Sequence, residues 1–322
     1  MHHDLWDYDV GSQPTLATVM HDGQPVAAVL QATKTGFIFA FDRDNGTPLF
    51  PIEERAVPQD AVPGEHPSPT QPFPAAPPAL TRQSKITPDD AWGVAWFDTR
   101  DCRKRIEQYR SEGIFQPPAL TDSLMQPGNA GGANWGGVAF DPKRQLVIAN
   151  TMNLPFIVSL IPRDQLSAQH ASEKYKGFEF ARQLGTPYGM RRKAFLSSLN
   201  IPCVKPPWGM LSAVDMQRGV IKWQIPLGDT PLIHLNLGMP NIGGPIVTAG
   251  GVVFIAASLD DKLRAFNTDN GKLLWSATLP AGGQATPMTY SIAGRQYLVI
   301  AAGGYKDQSK RGDYLVAYAL PR

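Results

Sequence analysis

The sequence predicts an all-β protein built from recurring four-stranded meanders, a β-propeller, and three observations carry that reading. Thirty glycines and thirty prolines among 322 residues, with 43% hydrophobic residues, suit short strands joined by many turns better than long helices. A turn motif recurs three times in one frame: AFDRDNG at 40–46 with Phe50, AVDMQRG at 213–219 with Trp223, and AFNTDNG at 265–271 with Trp275. The frame A-x-[DN]-x-x-x-G-x-x-x-[WF] reads as a strand, a hairpin turn through a glycine at positive φ, and a return strand towards an aromatic. Apolar runs rich in Val and Ile, too short for buried helices, complete the pattern.

In chain order, residues 26–30 (VAAVL) precede the first copy and residues 252–256 (VVFIA) precede the third. Residues 297–301 (YLVIA) precede a shorter relative at 313–318, and residues 146–149 (LVIA) form a further strand entered through 136–141. Such meanders, recurring at intervals, are propeller blades, and about four are present. Three stretches interrupt them. Residues 56–80 hold eight prolines and read as an extended loop on a rim. Residues 99–111 (TRDCRKRIEQYRS) read as a short helix capped by Asp98 or Thr99. Residues 161–206 read as an irregular excursion, with Arg191, Arg192 and Lys193 on a solvated loop. The chain is thus one propeller unit, 1–322, with irregular insertions near 51–130 and 161–206.

A chain of this length buries roughly three quarters of its unfolded surface. The near-neutral charge of +2, without a long basic run, argues against nucleic acid as the main partner. Cys102 and Cys203 are too few for a zinc or disulfide framework; one bridge and two buried thiols both fit. No run of 18 apolar residues is present, nor the basic and apolar regions of a signal peptide. Walker, zincin and nucleophile-elbow motifs are absent. GNAGGANWGG at 128–137 leads into a strand rather than a helix, unlike a dinucleotide loop. Asn45-Gly46-Thr47 satisfies a glycosylation sequon but fits a hairpin turn better.

Candidate chemistry lies at the corner after the second strand of each blade: Lys34, Asn150, Asp260 and Tyr305, with Lys306 beside the last. Equivalent corners share one rim, so a cation, an amide, a carboxylate and a phenol converge as a site for a polar, anionic ligand. The opening MHHDLWDYD places Asp7 and Asp9 where loops reach that rim, and Trp6 reads as packing. A carboxylate beside Lys34 stays ionised and suits a general base.

Several segments carry a resemblance: HHDLWDYD with QPTL, ATKTGFIFAFDRDNG, WGGVAFDP with IAN and LPF, GMPNIGGPI, and PAGGQATPMTY with GDYLVAYALP. Together they resemble the membrane-bound quinoprotein dehydrogenases that use pyrroloquinoline quinone (PQQ), whose best-known members oxidise glucose or quinate and shikimate. The resemblance covers essentially the whole chain. It implies a propeller of quinoprotein alcohol dehydrogenase type, with this chain as the C-terminal half of an eight-bladed ring. On that reading Met1 is not a natural start, and the membrane helices and principal metal ligands lie outside the sequence. The location implied is the periplasmic face of a bacterial inner membrane. By resemblance Asp7 is the catalytic base, Lys34, Asn150 and Asp260 are cofactor-binding, and a divalent cation (Ca²⁺ or Mg²⁺) and ubiquinone are partners. The metal ligands within this chain are unknown. Glucose dehydrogenases carry His-Gly where this chain has Tyr305-Lys306, and a phenol with a cation suits a carboxylated substrate. The expected substrate is therefore quinate or shikimate, with glucose or another polyol as the alternative and a non-catalytic propeller scaffold behind both.

Overall fold

The computed structural model describes residues 1–230, 235–305 and 309–321. The first blade is a meander of β1 (Thr15–His21), β2 (Gln24–Ala32) and β3 (Ile38–Asp42). A hairpin follows, β4 (Ile52–Ala56) with β5 (Thr70–Pro74). The proline-rich stretch expected as a loop thus contains a strand, because Pro72 sits in a two-stranded ribbon where its missing donor faces no third strand.

Helix α1 (Trp96–Ile106) begins three residues earlier than the sequence suggests. Trp96 is 76% exposed and Phe97 is also exposed, so the first turn has no apolar face to signal it. The buried Asp98 carboxylate accepts the Val94 N–H at the helix start. Beyond β6 (Ser123–Met125) come β7 (Val138–Asp141) and β8 (Leu146–Met152), which open the second blade. Its meander is then interrupted by β9 (Phe156–Pro162), the one-turn α2 (Leu166–His170), β10 (Glu179–Ala181) and β11 (Tyr188–Ala194). It resumes with β12 (Gly209–Asp215) and β13 (Val220–Pro226), and β12 pairs directly with β8.

The interruption is not the irregular excursion expected. Its strands join β6 in a sheet of their own, ordered β10-β11-β9-β6. A Cys102–Cys203 disulfide ties α1 to the segment returning from that sheet, settling the question the sequence left open. Both cysteines are buried among Ile106, Phe195 and Trp208.

The third blade is β14 (Ile246–Val247), β15 (Val252–Ile255), β16 (Lys262–Asn267) and β17 (Leu273–Thr278), and the fourth is β18 (Met288–Ile292), β19 (Arg295–Ala302) and β20 (Tyr314–Ala319). Cores lie between successive blades: Leu30 and Ile38 against Val147 and Val214, Ile148 and Leu211 against Val253 and Ile255, Ala256 and Leu263 against Leu298 and Ile300.

The turn frame has a common physical cause. In each copy the Asp or Asn side chain accepts a backbone N–H two residues on, and its carbonyl accepts the glycine N–H at 2.8–2.9 Å. Glycine is required at 219 and 271 for a second reason besides its positive φ. The aromatic of one blade seats on the glycine of the next: a Cβ on Gly219 would meet the Phe50 ring at 2.8 Å, and one on Gly271 would meet Trp223 at 2.9 Å. Trp223 also donates its Nε1–H to Thr268 O, and Trp275 meets Tyr318 edge-on. Repeat spacing is therefore also the rule by which blade docks on blade.

Candidate functional site

The segments that carry the residues chosen from the sequence are linked by a chain of hydrogen bonds. Lys34 lies in the β2–β3 turn, and its carbonyl accepts the Gly132 N–H at 2.6 Å. Gly132 O in turn accepts the Met152 N–H, two residues beyond Asn150. Asn150 donates to Asn241 Oδ1 and Gly243 O, and the adjacent Ile242 N–H bonds Ala257 O ahead of Asp260. Ala257 N–H reaches Gly283 O, and Gly282 joins both Gly304 and Lys310 around Tyr305. Asn150 differs from the expectation in one respect: it sits inside β8, buried, rather than in the turn after it.

Asp7 and Lys34 meet directly. The Lys34 ammonium donates to Asp7 O and Asp7 Oδ1, both at 3.0 Å, and pairs with Asp9 Oδ1. Its stem is buried, whereas the Asp7 and Asp9 side chains are 50% and 59% exposed. The segment is bent so that Asp7 takes φ 63°, a left-handed conformation Asp tolerates. Asp4 Oδ1 stabilises the bend by accepting the N–H groups of Trp6 and Tyr8. Trp6 is buried on Phe115 and donates to Gln116 O, which bears out its packing role. Burial pushes the Asp7 carboxyl up, but Lys34 and then Arg192 outweigh it and hold it below the ordinary carboxylate value. Burial likewise lowers Lys34, and Asp9 and Asp7 more than reverse this. Asp7 is therefore ionised at neutral pH.

Arg192 is the partner that reasoning from sequence missed. The basic stretch at 191–193 is not a solvated loop: Arg191 is buried against Asp122, and Arg192 on β11 places Nη1 3.2 Å from Asp7 Oδ2. Only the inserted sheet brings residues 185 positions apart together. Asp7 also lines a cleft of about 320 Å³ with His3, Asp4, Glu65, Gln183 and Thr186.

Asp260 is more tightly held than expected. Its carboxylate is enclosed with the Arg264 guanidinium, both nearly inaccessible, and accepts the Asp229 N–H at 2.9 Å. Asp229 extends the network to Lys262 at 2.8 Å. Tyr305 donates its backbone N–H to Ser309 Oγ, and Lys306 lies outside the described residues. Among the described residues no group of three or more His, Cys, Asp or Glu is placed to hold a metal ion. No helix among them is long and apolar enough to cross a membrane.

Residues 1–298 match the family model "PQQ: Glucose/ethanol/alcohol dehydrogenase, beta-propeller domain". The chain is 45% identical over 335 residues to the quinoprotein glucose dehydrogenase of Escherichia coli, covering all of this chain and 42% of that protein. It is 40% identical over 338 residues to the quinate/shikimate dehydrogenase (quinone) of Acinetobacter baylyi, again covering all of this chain and 42% of the relative. The chain thus spans less than half the length of these relatives. The quinohemoprotein alcohol dehydrogenase from Comamonas testosteroni shares the fold, with a TM-score of 0.57 at 23% identity over 98% of this chain and 38% of that one. With its recurring blades and its match to both kinds of relative, this chain belongs to the family of PQQ-dependent quinoprotein dehydrogenases.

Proposed function

We propose that the protein containing this chain oxidises a secondary alcohol of quinate or shikimate with PQQ as cofactor, Asp7 as general base, and ubiquinone in the inner membrane as electron acceptor. The observation that carries the chemistry is the Lys34 ammonium shared by Asp7 and Asp9, with Asp7 open to the cleft. One feature fits an anionic quinone and another its companion cation. The Lys34–Asp9 pair is exposed on its carboxylate side, so exchanging Asp9 for a quinone oxygen costs little. Asn150 Oδ1 is a buried acceptor with no hydrogen-bond partner, suited to a donor or a cation. Lys34 and Asn150 would hold the cofactor, and Asp260, already enclosed by Arg264, would support that wall. Ca²⁺ or Mg²⁺ is the expected companion, and Asn150 Oδ1 is the atom in this chain that would suit it.

When bound, PQQ supplies the carbonyl that accepts two electrons. The chain's own residues supply the rest. Asp7 accepts the substrate hydroxyl proton at its carboxylate, because Lys34 and Arg192 keep it ionised. Lys34 fixes the carboxylate by gripping both Oδ1 and the main-chain oxygen. The Tyr305-Lys306 pair, where glucose dehydrogenases carry His-Gly, supports a carboxylated substrate. Glucose is the second reading, favoured by the carboxylates of Asp4, Asp7 and Glu65 around the cleft, which suit a neutral polyol better than an anion.

The test is the full-length protein reconstituted with PQQ and Ca²⁺ or Mg²⁺ and assayed by dye reduction. Quinate turnover should exceed glucose turnover, and the reverse overturns the substrate assignment. Asp7→Asn should lower kcat by about 10²–10⁴-fold while cofactor absorbance is retained. Activity near wild type removes Asp7 as the base.

A further inference from the structure

We propose that Arg192, oriented by its cross-strand partner Glu179, is the positioning residue that holds the Asp7 carboxylate in register with Lys34. The inference rests on the dehydrogenase reading and assigns the support its base requires. Glu179 on β10 and Arg192 on β11 are direct register partners, so their side chains leave the same face of the inserted sheet. The guanidinium spends one edge on Glu179, Nε to Oε2 at 2.8 Å and Nη2 to Oε1 at 3.0 Å. That bidentate grip leaves Nη1 aimed at Asp7 Oδ2, 3.2 Å away.

Asp7 needs such a grip. It sits half exposed in a bent segment, and of its two carboxylate oxygens Lys34 holds Oδ1 alone. Rotation about the Cβ–Cγ bond would swing Oδ2 freely without a second donor on that side. Asn129 Nδ2 is also there, but at 3.4 Å it is a weak one. Two cations on opposite oxygens fix the carboxylate plane, and Arg's planar fork donates two parallel bonds to Glu179 and a third to Asp7 in one fixed plane, a geometry a lysine's ammonium does not reproduce. The propeller itself does not need the inserted sheet, since β8 pairs with β12 across it. Presenting Arg192 to Asp7 gives that sheet a role at the site.

The charged and titratable groups facing Asp7 are Lys34 from the β2–β3 turn, Arg192 with Glu179 behind it from the inserted sheet, His3, Asp4 and Asp9 from its own segment, and Glu65 from the cleft lining. Removing Arg192 takes away a positive neighbour, so Asp7 becomes harder to ionise and the active form is lost at a higher pH.

The experiment compares wild type with Arg192→Gln in two readouts. One is the acid limb of kcat/KM against pH in the reconstituted full-length protein. The other is ¹³C-carboxyl NMR titration of Asp7 in the cofactor-free protein, assigned with Asp7→Asn. Both should move to higher pH by about one unit. An acid limb and an Asp7 titration identical to wild type would overturn the proposal. Arg192→Lys keeps the charge but not the fork, so its titration should stay near wild type while kcat falls about tenfold at unchanged KM. If Arg192→Gln fails to fold, Arg192→Lys decides alone, and a wild-type kcat there counts against the proposal. A wild type that oxidises no alcohol sinks the dehydrogenase reading, whereas the carboxyl titration still decides the role of Arg192.

Discussion

Replacing Lys34 by Met tests the centre of the site, because Met keeps the buried stem and deletes only the ammonium. Lys34 is 3.0 Å from Asp7 Oδ1, where two unit charges attract by about 5 kcal/mol at an effective dielectric of ~20. Asp7 is half exposed, so solvent screening reduces the usable part to about 1–2 kcal/mol, roughly one pKa unit. The sign follows from Asp7 being held below its ordinary value: the favourable interaction is present above the usual carboxylate pKa and lost as pH falls through the lowered one. In Lys34→Met the acid limb of activity therefore shifts upward by about one unit, and the acid-side stability that Asp7 contributes shrinks. Arg192 remains in place, so the shift stays smaller than the loss of both cations would give. Under the proposed chemistry, kcat also falls by about 10²–10³-fold, the usual loss for one electrostatic donor. The assay is steady-state dye reduction by the reconstituted full-length protein from about pH 2 to 9, with thermal unfolding over the same range, so that the window reaches below the ordinary carboxylate value. An unmoved acid limb together with kcat within twofold of wild type would refute the reasoning.

Arg264→Gln should destabilise by about 3–5 kcal/mol, because it leaves the enclosed Asp260 carboxylate without its guanidinium; a denaturant midpoint equal to wild type would count against a buried pair. Gly271→Ala and Gly46→Ala share the same turn strain, at φ 70° and 78°, but only the former drives a methyl into Trp223. The first should cost about 1–3 kcal/mol more than the second in equilibrium unfolding, and equal losses would remove the aromatic-on-glycine account of blade docking.

The blades were legible in the sequence because their cause is local. An Asp or Asn that bonds the N–H two residues on, a glycine at positive φ and an aromatic four residues later each leave a fixed spacing. That spacing pointed to Lys34, Asn150, Asp260 and Tyr305 as corner residues, and the structure links their segments by hydrogen bonds while placing Asn150 inside β8. Asp7 was legible through its motif, and its ionised state through the nearby lysine. What escaped depends on contacts with no periodic signature. The inserted sheet has short strands whose partners are remote, with β6 pairing to β9 across β7 and β8, which belong to a different sheet. Arg191 and Arg192 therefore looked like solvated loop charges, although one is buried on Asp122 and the other holds Asp7.

By itself the sequence determined the class of fold, the order of the blades and the residue types at the rim, since hairpin chemistry and strand alternation act over a few residues. Only the tertiary structure decided which charges meet. Ion pairs such as Asp7–Arg192 and Asp260–Arg264, and the Cys102–Cys203 bridge, depend on where distant or enclosed segments are carried in three dimensions and on how far water is excluded from them.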